Sequence, residues 1–130
     1  ISVASTGGGR AYEGDGIYGG VKAALNRATE SFALDLAPYG IRVNVVAPGA
    51  TQVRFETEGR QATFYQSLKE RIPLQRVGTP KDIGEAVNFL ADNEKAGYIT
   101  GVVLKGMPES PDAPKWTAPL VKRIIDDPDL

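Results

Sequence analysis

Tyr18 and Lys22 are the first residues of this sequence whose types and spacing suggest chemistry. They stand four apart at the start of an apolar-periodic segment, so on a helix they share one face, about 5–6 Å apart at Cβ. An ammonium beside a phenol favours the phenolate, which makes the tyrosine a usable acid/base at working pH. A phenol titrating near ~10 is too weak an acid for that task unaided. The same pair also occurs on surface helices with no catalytic role. Ser5 lies thirteen residues before Tyr18, at the end of a short β-branched segment. Strand ends are where α/β proteins place reactive groups, and a serine hydroxyl there suits a hydrogen bond to a substrate oxygen, although serines also end strands routinely. Ser2 is the alternative, but its odd spacing from Ser5 puts it on the opposite face of the strand. The third feature is Asn44-Val45-Val46-Ala47-Pro48-Gly49. Pro48 and Gly49 turn the backbone at a strand end, where free N–H and C=O groups can take an amide-bearing ligand or form a plain turn.

Composition narrows the remaining chemistry. The 130 residues contain no His and no Cys. Thiolate or imidazole metal sites, cysteine nucleophiles, Ser-His-Asp triads and disulfides are therefore excluded, and no metal site is assigned. Proton transfer must use Tyr, Lys, Asp, Glu or Ser. Hydrophobic residues at 42% and charged residues at 24% are ordinary for one globular domain. A net charge of −1 gives no electrostatic reason to expect nucleic acid or an anionic membrane. No apolar run approaches the ~20 residues of a membrane helix, and no secretory signal is visible. The expected location is cytoplasmic.

The elements that must position these residues read as follows. Ile1–Ser5 is the end of a strand, and the glycine-rich Thr6–Gly16 is a loop. Val21, Leu25, Ala28, Phe32 and Leu36 form one stripe of a helix over Ile17–Ala37. It stops near Pro38–Gly40, with glycine as the left-handed cap. Ile41–Val46 is a strand. Thr51–Arg71 is a loop and a short helix. Thr79, Pro80 and Asp82 start another helix as N-cap, first residue and first-turn acid, continued by the stripe Ile83, Ala86, Val87, Leu90, Ala91. Ile99–Lys105 is the last strand, before a Pro-rich tail. Strand, helix, strand, helix, strand is doubly wound α/β logic. Three strands with open edges and two faces to cover suggest part of a larger parallel sheet.

Ser5, then Tyr18-x-x-x-Lys22, then a strand ending Asn44–Gly49, resembles the short-chain dehydrogenase/reductase family. Ala23-Ala24-Leu25, Leu36–Asn44, Arg71–Pro80, Ala86–Leu90 and Tyr98–Gly101 extend the resemblance over Ile1 to Lys105. It implies an NAD(P)-dependent oxidoreductase interconverting an alcohol and a carbonyl by hydride transfer. Residues 1–105 would be the C-terminal, catalytic half of a Rossmann-type α/β domain, and 106–130 a Pro-rich tail. Tyr18 would be the acid/base, Lys22 would activate it and bind the nicotinamide ribose, and Ser5 would hold the substrate oxygen. Pro48, Gly49 and Thr51 would lie along the nicotinamide of NAD or NADP. Gln52–Arg71, with Phe55, Phe64 and Tyr65, would form a substrate lid. The helix over Ile17–Ala37 resembles the one that pairs subunits in the family, which implies a homodimer or homotetramer acting on a small-molecule alcohol or ketone.

The departures are specific. The family's Tyr-x-Ala-Ser-Lys reads Tyr18-Gly19-Gly20-Val21-Lys22, and each glycine weakens a helix by roughly 1 kcal/mol relative to alanine. Close backbone approach is one possible reason. Val53 stands where a threonine commonly binds the carboxamide. Leu104-Lys105 runs into Gly106-Met107-Pro108 rather than Val-Asp-Gly-Gly. The glycine-rich pyrophosphate turn and the family's active-site asparagine are not in these residues, and Ile1 looks like a start within a strand. Gly7-Gly8-Gly9 lacks the G-x-G-x-x-G spacing and opens no helix. A second reading follows: a non-catalytic truncated piece acting in oligomerisation or as a scaffold.

Overall fold

In the computed structural model, residues 1–52 and 60–106 are described, with the backbone alone for 60–64. The order is β1 (Ser2–Val3), α1 (Gly16–Leu36), β2 (Val45–Ala47), α2 (Arg60–Arg71), α3 (Pro80–Ala91), α4 (Asn93–Ala96) and β3 (Val103–Lys105), with 3-10 turns at Thr6–Gly9 and Ala37–Tyr39. The strands form one parallel sheet ordered β1-β2-β3, in register Ser2 with Val45 and Val45 with Val103. This is the expected α/β class.

The central strand is fully covered: Val45, Val46 and Ala47 are all buried, and Ala4, Leu25 and Val103 pack around them. Gly40, at φ +71°, closes the α1 passage as the left-handed cap. Thr79 caps α3 in a reciprocal box with Asp82, with Pro80 in the first turn.

The strands are shorter than expected. Residues 41–44 precede β2, and 99–102 precede β3, because polar side chains replace part of the ladder there. The buried Asn44 amide donates to Ile99 O at 2.9 Å and its carbonyl accepts from Val102 N at 3.1 Å, while Thr100 Oγ1 takes Val43 N at 3.0 Å. Arg42 donates to Leu90 O at 2.8 Å and to Asn93 Oδ1 at 2.7 Å, so its charge sits at the α3 C-terminus, where carbonyls lack helical partners. The one-turn α4, which was not expected, starts where the Asp92 carboxylate accepts from Glu94 N and Lys95 N.

The buried face of α1 also differs from the apolar stripe. Thr29 and Ala33 are the buried residues, with Leu25 and Leu36 partly covered, while Val21 and Phe32 are 62% and 53% exposed. Small residues face inward because the helix lies close to the turn before β3: a Cβ on Gly101 would stand 3.2 Å from Ala33 Cβ. Tyr65, expected in the lid, is buried with Leu68, Ile72 and Val77, so it packs. The lid position Phe55, Val53 and the tail from Met107 lie outside the residues described, as does the side chain of Phe64.

Candidate active site

Ser5 follows β1 in extended backbone and caps the Thr6–Gly9 turn, its Oγ accepting from Gly7 N at 3.1 Å. Used as acceptor there, the hydroxyl keeps its proton to donate. The glycines then dock this turn on α1. A Cβ on Gly8 would stand 2.6 Å from the carbonyl carbon of Lys22 and 2.8 Å from Ala23 N. One on Gly19 would meet Gly7 O at 3.1 Å and Asp15 Oδ2 at 2.9 Å. Backbone therefore rests on backbone, which explains Gly19 in place of a residue with a side chain. Among the described residues nothing lies within 4 Å of a Cβ on Gly20, and no contact among them accounts for it.

This packing brings the first three candidates together. Ser5 Oγ and Tyr18 Cε1 lie 3.5 and 3.6 Å from the point a Gly7 Cβ would occupy. Tyr18 is 52% exposed, within reach of a ligand. Lys22 Nζ is 5.7 Å from the centre of the Tyr18 ring, inside the range where a cation is attracted to an aromatic face. Nζ also donates to Val3 O at 3.2 Å. Ser2 and Ala4 give their N–H groups to Asn44, just before β2, and to Val46 on it, so Val3 O points to the other edge of β1.

Pro48, Gly49 and Thr51 stand beside this group. Pro48 O accepts from Thr6 N at 2.9 Å, stitching the turn after β2 to the turn after β1. Gly106 N donates to Ala47 O at 2.9 Å, and a Cβ there would stand 2.9 Å from Gly49 N, so Gly106 is needed for the close approach. Thr51 Oγ1 donates to Gly49 O at 3.0 Å. Thr51 pairs in parallel with Gly78, through Gly78 N to Ala50 O and Gln52 N to Gly78 O, both 2.8 Å. The flanking residues carry those bonds, so the amide and carbonyl of Thr51 face the other way. A donor and an acceptor side by side match a primary carboxamide, and in this respect the residues fit a nicotinamide.

Two features escaped the sequence reading. Asp15, three residues before Tyr18 and thus on the same helical face, sets Oδ2 3.1 Å from the Gly7 Cβ position; that spacing was a usable signal. Arg76 makes a bidentate pair with Asp82 at 2.7 and 2.9 Å. Hydrogen bonds from Arg76, then from the Thr79 amide and hydroxyl, hold the Asp82 carboxyl well below the usual carboxylate range, and the same bonds raise Arg76.

Serine, tyrosine and lysine thus lie near the carboxyl edge of a parallel α/β sheet, where open sheets of this class bind their ligands. The family model described as "Enoyl-(Acyl carrier protein) reductase" matches residues 1–105. A 7alpha-hydroxysteroid dehydrogenase of Paraclostridium sordellii is 36% identical over 88 residues, covering 68% of this chain and 33% of that protein. A cyclohexanol dehydrogenase of Rhodococcus sp. (strain TK6) is 34% identical over 111 residues, covering 80% and 39%. A short-chain dehydrogenase/reductase of unknown function from Caenorhabditis elegans, solved with cofactor, superposes with TM-score 0.72 at 35% identity, over 82% of this chain and 43% of that one. The chain belongs to the short-chain dehydrogenase/reductase family of oxidoreductases. It spans about a third to two fifths of the length of these curated relatives. Among the described residues no helix is long and apolar enough to cross a membrane.

Proposed function

We propose that this chain is the catalytic half of an NAD(P)-dependent oxidoreductase that interconverts an alcohol and a carbonyl, with Tyr18 as the acid/base. The observation that carries this reading is the convergence of Ser5, Tyr18 and Lys22 on one accessible side of the sheet's carboxyl edge. The nicotinamide cofactor, when bound, gives or takes the hydride. In reduction, the Ser5 hydroxyl donates a hydrogen bond to the substrate carbonyl oxygen, and Tyr18 passes its proton to that oxygen as charge develops. In oxidation, the Tyr18 phenolate takes the proton from the alcohol. Lys22 stabilises the phenolate and turns from Val3 O to the nicotinamide ribose. Pro48, Gly49 and the Thr51 backbone hold the carboxamide end. The residues that choose between NAD and NADP are not among these 130.

The outward stripe of α1, with Ile17 87% exposed beside Val21 and Phe32, supports a homodimer or homotetramer through this helix. It equally suits the second reading, a non-catalytic piece that pairs subunits or serves as a scaffold. We place the protein in the cytoplasm, acting on a small-molecule alcohol or ketone.

Turnover separates the two readings. The full-length natural protein carrying this chain, given NAD+ or NADP+ and a panel of secondary alcohols, is expected to form reduced cofactor and ketone in equal amounts. Absence of cofactor-linked turnover across alcohols and ketones would leave the scaffold reading. The isolated 130-residue chain is expected to bind cofactor poorly and turn over negligibly, and NAD(P)H-linked activity from it alone would contradict that.

A further inference from the structure

We infer that Asp15 is a specificity-determining residue: its carboxylate receives a second hydrogen-bond donor of the substrate, a hydroxyl or ammonium beside the reacting carbon. The inference rests on the oxidoreductase reading of Ser5 and Tyr18 and adds a substrate class, polyols and amino alcohols. Three atoms surround the Cβ position of Gly7: Asp15 Oδ2 at 3.1 Å, Ser5 Oγ at 3.5 Å and Tyr18 Cε1 at 3.6 Å. A carboxylate thus stands in the same small space as the two groups that hold the reacting oxygen.

Asp15 is not accounted for by the fold. It is the N-cap of α1 by position, yet its side chain makes no capping bond. Among the described residues its carboxylate has no ion pair or hydrogen bond, although it is half-buried. An acceptor-only group so placed has its hydrogen-bonding capacity open to a ligand.

Asp15 also lines a cavity of about 330 Å³ whose wall includes Gly7, Arg10, Tyr12, Gly16 and Gly20; Ser5 and Tyr18 do not line it, and Gly7 is the residue that the cavity and those two side chains share. That volume suits a small substrate. Among the described residues nothing lies within 4 Å of a Cβ on Gly16 or Gly20, so a ring carbon can approach their backbone, while Arg10, on the same wall, sets its guanidinium 5.4 Å from the centre of the Tyr12 ring. A compound whose reacting oxygen lies at Ser5 and Tyr18 places a vicinal donor toward Asp15.

The test uses the full-length natural protein, wild type and Asp15→Asn. Asparagine keeps the N-cap preference, so the helix start is retained. The readout is the ratio of kcat/KM for trans-cyclohexane-1,2-diol or trans-2-aminocyclohexanol to that for cyclohexanol. The ratio is expected to fall by about 10-fold or more in Asp15→Asn for at least one of the two donors, the magnitude of a hydrogen bond to a charged group. The arm that falls tells hydroxyl from ammonium recognition. An unchanged ratio in both arms overturns the inference. A second readout does not need turnover. Both bifunctional compounds, titrated with amide NMR detection, are expected to shift the Gly7, Gly16 and Gly19 signals, at several-fold higher concentration in the variant. No shift with the wild type would overturn the inference. Shifts without turnover of any alcohol would uphold the Asp15 site and sink the oxidoreductase reading instead.

Discussion

Two polar clusters of this molecule are built from similar residues and behave in opposite ways. Where β2 and β3 begin, Asn44, Arg42, Thr100 and Asn93 form a clasp in which Asn44 is buried and both ends of its amide are bonded, and Arg42 is bonded through all three nitrogens. At the opposite, carboxyl edge, Ser5, Asp15, Tyr18 and Lys22 surround an accessible space with capacity unspent. A buried polar group must be satisfied or it destabilises the fold. Polar groups left open on a glycine-packed frame keep that capacity for a ligand under the proposed reading. The comparison sets residues that hold the fold against residues proposed to meet a substrate.

That contrast can be broken experimentally, and the largest effect belongs to the satisfied cluster. Asn44→Ala leaves Val102 N–H without its partner and Ile99 O with only the longer bond from Arg42 at 3.3 Å, and is expected to cost about 2–3 kcal/mol in urea unfolding. Retained stability would show that the clasp is not structural. Gly8→Ala is next. Its Cβ would press on the α1 backbone at 2.6 Å, so about 1–3 kcal/mol of destabilisation is expected, with turnover falling because Ser5 moves relative to Tyr18. Lys22→Met is expected to raise the KM for cofactor and lower kcat by about 10-fold or more, with unfolding stability within ~0.5 kcal/mol, since among the described residues Nζ makes one exposed hydrogen bond, to Val3 O.

The smallest effect concerns pH. The folded state holds the Asp82 carboxyl below its unfolded range. Its contribution is therefore present above the ordinary carboxylate value near ~4 and is lost as pH falls through the lower folded value. Melting temperature measured from pH 6 down to acid is expected to drop less steeply in Asp82→Asn than in wild type. The pair is exposed, so the difference is small. Identical curves would remove Asp82 from the acid response.

Much of the frame was legible in the residues because its signals are local. Gly40 had to supply a positive φ, and Thr79, Pro80 and Asp82 spell a helix start; all are found in place. Tyr18 and Lys22 share a face as helical spacing dictates. What was not legible depends on contacts between distant segments. The inner face of α1 is set by how closely Gly101 and the Thr6–Gly9 turn approach it, which no periodicity records. The strands shorten because the Asn44 and Thr100 side chains take backbone groups at their starts. The α4 turn rests on Asp92, a capping residue visible in the sequence but easily passed over in so short a segment. Asp15 was visible too, at helical spacing from Tyr18, and its meaning emerged only when Gly7 was seen to lack a side chain between them.

The most direct test removes one oxygen atom. Tyr18→Phe, in the first turn of α1, and Tyr39→Phe, in the 3-10 turn that follows it, are compared in the full-length protein by single-turnover reduction of a ketone. Tyr18→Phe is expected to slow the reaction by about 10²–10⁴-fold with cofactor still bound, and Tyr39→Phe to react at the wild-type rate. Equal rates in wild type and Tyr18→Phe would contradict the account.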